Sequence, residues 1–369
     1  MRILFTFVGG SGHFRPLVPL ARAAAAAEHT VAFACPGRMV PAVEKAGFPA
    51  LATSPPGGAP PDRLPLSAPD PQREERDLRE HFARTGGREN TPVLLKLAGQ
   101  WRPDVVVRCE VDFGAALAAE RLGLPCAVVL VLAAGGFLRP DVVAEPLHEL
   151  RAEHGLPADP RLRMLAGDLV FAPFPPSFRD PRFPLPDGTF AFRQGDPRPP
   201  AGGEVVYFTL GTVFNTESGD LFSRVLAGLR KLSAPVVATT GEHIDPAEFG
   251  PEPEHVRIER FVPQESLLPR CAVVVSHGGS GSVLGALAHG VPSVLLPMGA
   301  DQPHNARRSL DLGTARLLDP VTVTPEDVEA AVSAVLADER YRQAADRLRE
   351  ETNTLPGADA AVPLLEKLT

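Results

Sequence analysis

The sequence predicts an α/β protein made of two Rossmann-like, doubly wound halves facing a central cleft. Three observations carry this. Short apolar runs of strand length alternate with longer helix-patterned segments along most of the chain. The alternation is interrupted at the Pro/Gly-rich "FRQGDPRPPAGGE" and then restarts. The chain has 369 residues, room for about two domains at roughly 150 residues each. Residues 1–195 are thus expected to form the first domain, 196–204 the linker and 205–369 the second domain, with the last helix able to return to the first.

In order, "RILFTFV" reads as a strand, "RPLVPLARAAAAAEH" as a helix and "TVAFAC" as the next strand. "MVPAVEKAG" is helical and "PALAT" a short strand. Residues 54–73 form a Pro/Gly-rich loop, long for a compact domain and so expected to be functional or mobile. "REERDLREHFARTGGRENTPVLLKLAGQW" makes one or two helices, and "PDVVVRC", "FGAALAAERLG" and "PCAVVLVL" complete the half. After the linker come strand "VVYFTL", the turn "GTVFNTESGD" and a helix over 221–232. Strands "PVVATT", "VRIERF" and "AVVVS", helix "GSVLGALAHG", strand "PSVLLPM" and helix "PHNARRSLDLG" follow. Two helices, "TPEDVEAAVSAVLA" and "RYRQAADRLREETN", close the chain.

Composition narrows the function. Hydrophobic residues make up 44% and charged residues 22%, so ordinary cores can form. The net charge of −8, with basic residues scattered, argues against a nucleic-acid groove. Cys35, Cys109, Cys126 and Cys271 are far apart in or beside apolar runs, which reads as reduced core thiols of a cytoplasmic protein. The first apolar stretch is too short for a signal peptide, and no run approaches the roughly 20 apolar residues of a membrane span.

The chemistry concentrates in "VVVSHGGSGSVLGALAHGVPSVLLPMGADQPHNA". A strand delivers His277, Gly278 and Gly279 to a sheet edge, and a helix begins near Ser280. Its first amides lack internal partners and carry the positive end of the dipole. Glycines admit a ligand close to the backbone, Ser280 and Ser282 add hydroxyls, and His277 offers a ring N–H. This suits a phosphate or diphosphate. A plain strand–turn–helix would use the same glycines for packing and the serine as a cap. The spacing is neither the G-x-x-x-x-G-K-[ST] loop nor a G-x-G-x-x-G after the first strand. Past the next strand, Asp301 and Gln302 between them accept and donate, as a sugar's hydroxyls require, although Asp301 could also cap its helix. Cradle and hydroxyl reader together point to a sugar nucleotide.

"FVPQESLLPRCAVVVSHGGSGSVLGALAHGVPSVLLPMGADQPHNA" resembles the donor-binding signature of GT-B fold glycosyltransferases, above all the natural-product enzymes that decorate antibiotics such as macrolides, enediynes and polyketides. "GGSGHFRPLVPLARA" and "YFTLGTVFN" are similar to that family as well. The resemblance implies that His277, Gly278, Gly279 and Ser282 contact the donor diphosphate beside Gly211 and Thr212. It implies that Val262, the residue before the proline, frames the base with Gln264 also on the donor side, and that Asp301 and Gln302 read the sugar. Many plant members carry tryptophan where this chain has Val262, so stacking on the base must be weaker or come from elsewhere.

His13 follows the first strand and is the expected general base, because an imidazole can take an alcohol's proton near neutral pH. The family often backs this histidine with an aspartate after the strand matching "PDVVVRC", a position that falls on Cys109 here. Glu110 is the expected substitute; Asp112 is the other candidate, or else caps the helix at Phe113. Gly12, Phe14 and Trp101 are the acceptor-side candidates, with core packing competing for Trp101. No Asp-x-Asp pair stands where it could hold a metal beside the phosphates, so no metal ligands and no resident cofactor are expected. The family implies a donor linked to dTDP, a hydrophobic small-molecule acceptor and inversion at the anomeric carbon. A homodimer is compatible with the sequence. A nucleotide-sugar epimerase or hydrolase on the same fold, or a non-catalytic sugar-nucleotide-binding auxiliary protein, are the alternatives.

Overall fold

The computed structural model describes residues 1–57, 62–212 and 214–369, which form one seven-stranded and one six-stranded parallel sheet. The chain divides into two compact units. The first comprises Met1–Gly58, Pro71–Asp196 and Leu355–Thr369; the second comprises Ala59–Asp70 and Pro197–Thr354.

The first sheet contains β1 (Arg2–Thr6), β2 (Thr30–Cys35), β3 (Ala50–Ala52), β4 (Val105–Cys109), β5 (Cys126–Val129), β6 (Leu169–Ala172) and β7 (Phe190–Ala191). Its order is β3-β2-β1-β4-β5-β6-β7. The second contains β8 (Val205–Thr209), β9 (Val236–Thr239), β10 (Val256–Glu259), β11 (Cys271–Ser276), β12 (Ser293–Leu295) and β13 (Ala315–Leu317), in the order β10-β9-β8-β11-β12-β13. These are doubly wound Rossmann-like sheets, whose strands are apolar on both faces because helices cover both. Strand order reverses between β1 and β4, and again between β8 and β11. Ligands of such sheets sit off the carboxyl ends of the strands at those reversals.

β4 carries one exception to apolar burial. Arg108 is wholly buried, and its guanidinium donates to the carbonyls of Glu110 (2.8 Å), Met164 (2.6 Å) and Leu165 (2.9 Å). Carbonyl partners make the buried cation tolerable. All four cysteines are free and buried. No helix among the described residues is long and apolar enough to cross a membrane.

Several elements lie beyond what the sequence pattern indicated. β6, β7 and the helix Pro140–Glu153 extend the first sheet and cover it. Residues 71–101 form a helix Pro71–Arg76, a π-helical run Asp77–Gly86 and an α-helix Gly87–Trp101. Arg79, Arg84 and Arg88 from this stretch pair with Glu145, Glu149 and Glu153 of Pro140–Glu153. The charged face of "REERDLRE" is thus tied in part to a neighbouring helix.

Two segments depart from simple chain order. The C-terminal Leu355–Thr369 packs in the first unit, where Val362 and Leu365 join its core and Glu366 meets His29 at 3.0 Å. Of the loop 54–73, residues 58–61 lie outside the described residues. Within the second unit, Leu64 donates its amide to the Thr216 carbonyl (2.8 Å) and Leu66 packs against the core. Arg63 there pairs with Glu248 through contacts of 2.6 and 2.7 Å.

Candidate active site

In the first unit, His13 lies in the helical turn Ser11–Phe14 that follows β1. Its ring rests on Gly9, whose φ is +78° and where a Cβ would stand 2.9 Å from Cδ2. Both facts call for glycine. Phe82, from the π-helical run, stacks at 6.3 Å between ring centroids. Nδ1 lies 3.8 Å from the Cys109 sulfur, the ring's hydrogen-bonding contact among the described residues. Arg38 donates to the Gly9 carbonyl at 2.9 Å. Burial first, and then the Arg38 charge, push the His13 imidazole down to about 4. It is therefore neutral near pH 7, the form a general base needs.

Cys109, Glu110 and Asp112 leave β4 in different directions. Cys109 meets His13. Glu110 is buried, and its carboxylate accepts from the Val131 and Leu132 amides at 2.5 and 2.6 Å. Burial pushes its pKa up, opposed chiefly by the Arg179 charge. Asp112 accepts from the Ala115 amide at 3.1 Å and caps the helix Phe113–Leu122. Neither carboxylate is hydrogen-bonded to His13 among the described residues.

Two acceptor-side candidates have partners within the protein. Phe14 is 6% exposed and packs on Phe7 and Phe33, so it belongs to the core. Trp101 sits at the opposite edge of the sheet, with the Arg2 guanidinium 4.3 Å from its ring centre at the start of β1. An aromatic residue beside a basic one makes a favourable stack there without any ligand. Gly12 is exposed, with open space around its α-carbon.

In the second unit, the carboxyl edge of β8, β11 and β12 gathers the residues expected on the donor side. The His277 ring is held between Gly211 and Gly279, where a Cβ would come within 2.8 and 2.6 Å of Nε2. Gly211 and Gly278 have φ of +79° and +86°, which favours glycine at both. The His277 Nδ1 atom is buried and meets no hydrogen-bond partner of good geometry among the described residues. Burial pushes this imidazole down to about 4, only partly offset by the Thr209 backbone. The helix Ser280–Leu287 begins directly after Gly279, with no side chain capping it from that residue.

Asp301, Ser280 and Asn305 form one network. The Ser280 hydroxyl donates to Asp301 Oδ2 at 2.6 Å. The Asn305 amide donates to the same oxygen (2.7 Å), to the Ser280 hydroxyl (3.1 Å) and to the Gly278 carbonyl (3.0 Å). Burial pushes the Asp301 carboxyl up, and the Ser280 and Asn305 bonds oppose it. Gln302 is buried, and its carbonyl accepts from the Met298 (2.8 Å) and Gly299 (3.3 Å) amides. It braces the turn after β12. Thr212 is exposed; Val262, Gln264 and Ser282 are half-buried, with Gln264 opening the helix Gln264–Leu267 and Ser282 in the first turn after Gly279. Among the described residues, no group of three or more His, Cys, Asp or Glu is gathered to hold a metal ion.

Sequence reasoning missed Phe82, Phe214 and Asn305. Asn305 lies four residues after Asp301 on one helix face, a spacing that could have found it. Phe214, 6.3 Å from the His277 ring, stands in the loop after β8. Phe82 faces His13 through a π-helical run that no apolar period announces.

The second sheet thus gathers glycines, a helix start and the Ser280–Asp301–Asn305 network at its carboxyl edge, and the first carries a neutral histidine after β1. Residues 223–368 match the family described as erythromycin biosynthesis protein CIII-like, C-terminal domain. The chain is 30% identical to 4'-demethylrebeccamycin synthase of Lentzea aerocolonigenes, over all of this chain and 99% of that one. The chain belongs to the natural-product glycosyltransferases. A second relative of this glycosyltransferase, 10-deoxymethynolide desosaminyltransferase of Streptomyces venezuelae, is also 30% identical, over 100% of this chain and 97% of that one. Among solved structures, the glycosyltransferase VinC in complex with dTDP matches with a TM-score of 0.77 at 26% identity, covering 100% and 99% of the two chains. SnogD from Streptomyces nogalater matches with a TM-score of 0.77 at 27% identity and the same coverage. The fold is that of GT-B enzymes.

Proposed function

We propose that this glycosyltransferase moves a deoxysugar from a dTDP donor to a hydrophobic natural product, inverting the anomeric centre, with His13 as the base. The observation that carries the reading is the neutral His13 ring at the end of β1, with Nδ1 turned to Cys109 and Nε2 left to take a proton. The donor is argued from VinC, solved with dTDP, and the sugar class from the desosaminyltransferase relative. In the cytoplasm, where we place the enzyme, both substrates would meet it.

In this mechanism the acceptor oxygen attacks the anomeric carbon as Nε2 takes its proton. The bond from that carbon to the diphosphate breaks on the opposite face, and dTDP leaves with the electron pair. One base and no enzyme nucleophile give inversion. The growing charge on the diphosphate is met by the first-turn amides of Ser280–Leu287 and a His277 N–H. Asp301 and the Gln302 amide orient the sugar.

The test uses dTDP-glucose and follows dTDP release with and without an acceptor. His13→Ala should lower turnover by roughly 10²–10⁴. The residual rate should rise with pH, because an acceptor ionised in solution no longer needs the base. Native turnover by the variant would remove His13 from the mechanism.

A further inference from the structure

The far side of the His13 ring bears on which acceptors the enzyme can use. A histidine that takes a proton becomes an imidazolium as the new bond forms. A carboxylate behind it fixes the ring proton on the far nitrogen and stabilises that charge. Here the far nitrogen, Nδ1, meets the Cys109 sulfur at 3.8 Å. Cys109 is wholly buried, and burial pushes its thiol up to about 12, so it remains an uncharged S–H.

The two nearby carboxylates are engaged elsewhere, Glu110 by the Val131 and Leu132 amides and Asp112 by the Ala115 amide. The remaining neighbours do not help an imidazolium. Phe82 and Gly9 are uncharged, and Arg38, bonded to the Gly9 carbonyl, adds a positive charge. A thiol can also donate to Nδ1, which places the ring proton on Nε2, the atom that has to accept one. Burial and the Arg38 charge thus weaken this ring as a base, and no carboxylate is hydrogen-bonded to it among the described residues to offset them.

We propose that the attacking group of the natural acceptor is itself acidic, a phenol or an enol rather than an alkyl alcohol. This rests on the reading of His13 as the base. A phenol loses its proton near pH 10, as tyrosine does, whereas an alkyl alcohol holds it about as tightly as water, near 16. In the transfer, the phenol oxygen bonds to the anomeric carbon, its proton passes to Nε2, and the sugar–diphosphate bond breaks with the electron pair leaving on dTDP. The weaker the base, the more the acceptor's own acidity has to contribute. Cys109 acts here as a positioning residue, through His13.

The experiment pairs 2-naphthol with decahydro-2-naphthol, each with dTDP-glucose, and compares the wild type, Cys109→Asp, Cys109→Asn and His13→Ala. The wild type should favour the phenol by about 100-fold or more in kcat/KM, of the order of a lost acid–base contribution. Cys109→Asp should narrow that ratio by about tenfold or more and raise the acid limb of the kcat profile by at least about one pH unit, since a carboxylate now supports the imidazolium. Cys109→Asn, which keeps the site uncharged while accepting from Nδ1–H, should narrow the ratio less and leave the acid limb in place. If the wild type uses the alkyl alcohol as fast as the phenol, and His13→Ala abolishes both reactions, the acidic-acceptor inference is overturned while His13 stays the base. If His13→Ala turns over both acceptors at the wild-type rate, the base reading itself is lost.

Discussion

His13 and His277 both stand at the strand-order reversal of a parallel sheet, but on opposite sides of it: His13 follows β1, and His277 follows β11, whose counterpart in the first sheet is β4. Each ring lies on a glycine of positive φ, Gly9 at +78° and Gly211 at +79°. Each is pushed by burial to about 4 and is neutral near pH 7. Their company differs. His277 sits between two glycines, beside the first turn of a helix and the Ser280–Asp301–Asn305 network. His13 sits among a thiol, an aromatic ring and a guanidinium's charge. One neutral imidazole is thus set beside a helix's first turn and a polar network, and the other beside a thiol and an aromatic ring near a positive charge; anion binding is our proposal for the first and proton uptake for the second. The fold supplies the station, and the local side chains decide its chemistry.

The glycines offer the sharpest way to break this comparison. Alanine at a left-handed position costs about 1–2 kcal/mol, and each new Cβ would also displace its histidine ring. Gly9→Ala should lower kcat by roughly 10–100-fold and leave dTDP affinity near native, since a misplaced catalytic group is costly. Gly211→Ala should raise the Kd for dTDP by roughly tenfold, the equivalent of about 1.4 kcal/mol. Steady-state kinetics and dTDP titration on both variants check the pair. If Gly9→Ala acted on dTDP affinity and Gly211→Ala on kcat alone, the two stations would have been assigned in reverse.

A smaller effect concerns pH. Both folded pKa values lie below the ordinary histidine value of 6.5, so the neutral rings persist as pH falls and protonate only near 4. Histidine C–H resonances followed by NMR should therefore show His13 and His277 titrating well below 6.5. The acid limb of kcat/KM should fall with them, leaving activity flat from pH 6 to 8. Midpoints at 6.5 would mean that neither ring is as enclosed as described.

The alternation of β1, β2, β4 and β5, and of β8 to β12, was legible because buried parallel strands are continuous Val-, Ala- and Phe-rich runs between helices. The juxtaposition of the glycines, His277 and Ser280 was legible because they are neighbours in sequence. The acceptor side was much less so. β6 and β7 are four and two residues long. The helix Pro140–Glu153 carries an internal proline, which masks its period. The direction in which Cys109, Glu110 and Asp112 turn depends on the loops after β5 and on a helix cap, neither of which a spacing rule contains. Trp101 shows the converse: a lone tryptophan suggests a pocket, yet Arg2, about a hundred positions away, is its partner.

The central claim is that donor binding and proton transfer reside at separate histidines. Calorimetric titration of dTDP into the wild type, His277→Ala and His13→Ala tests it most directly. His277→Ala should weaken binding by about 1.5–3 kcal/mol, the scale of a hydrogen bond to a charged group, while His13→Ala binds dTDP as the wild type does. Unchanged affinity in His277→Ala, or a comparable loss in His13→Ala, would contradict the account.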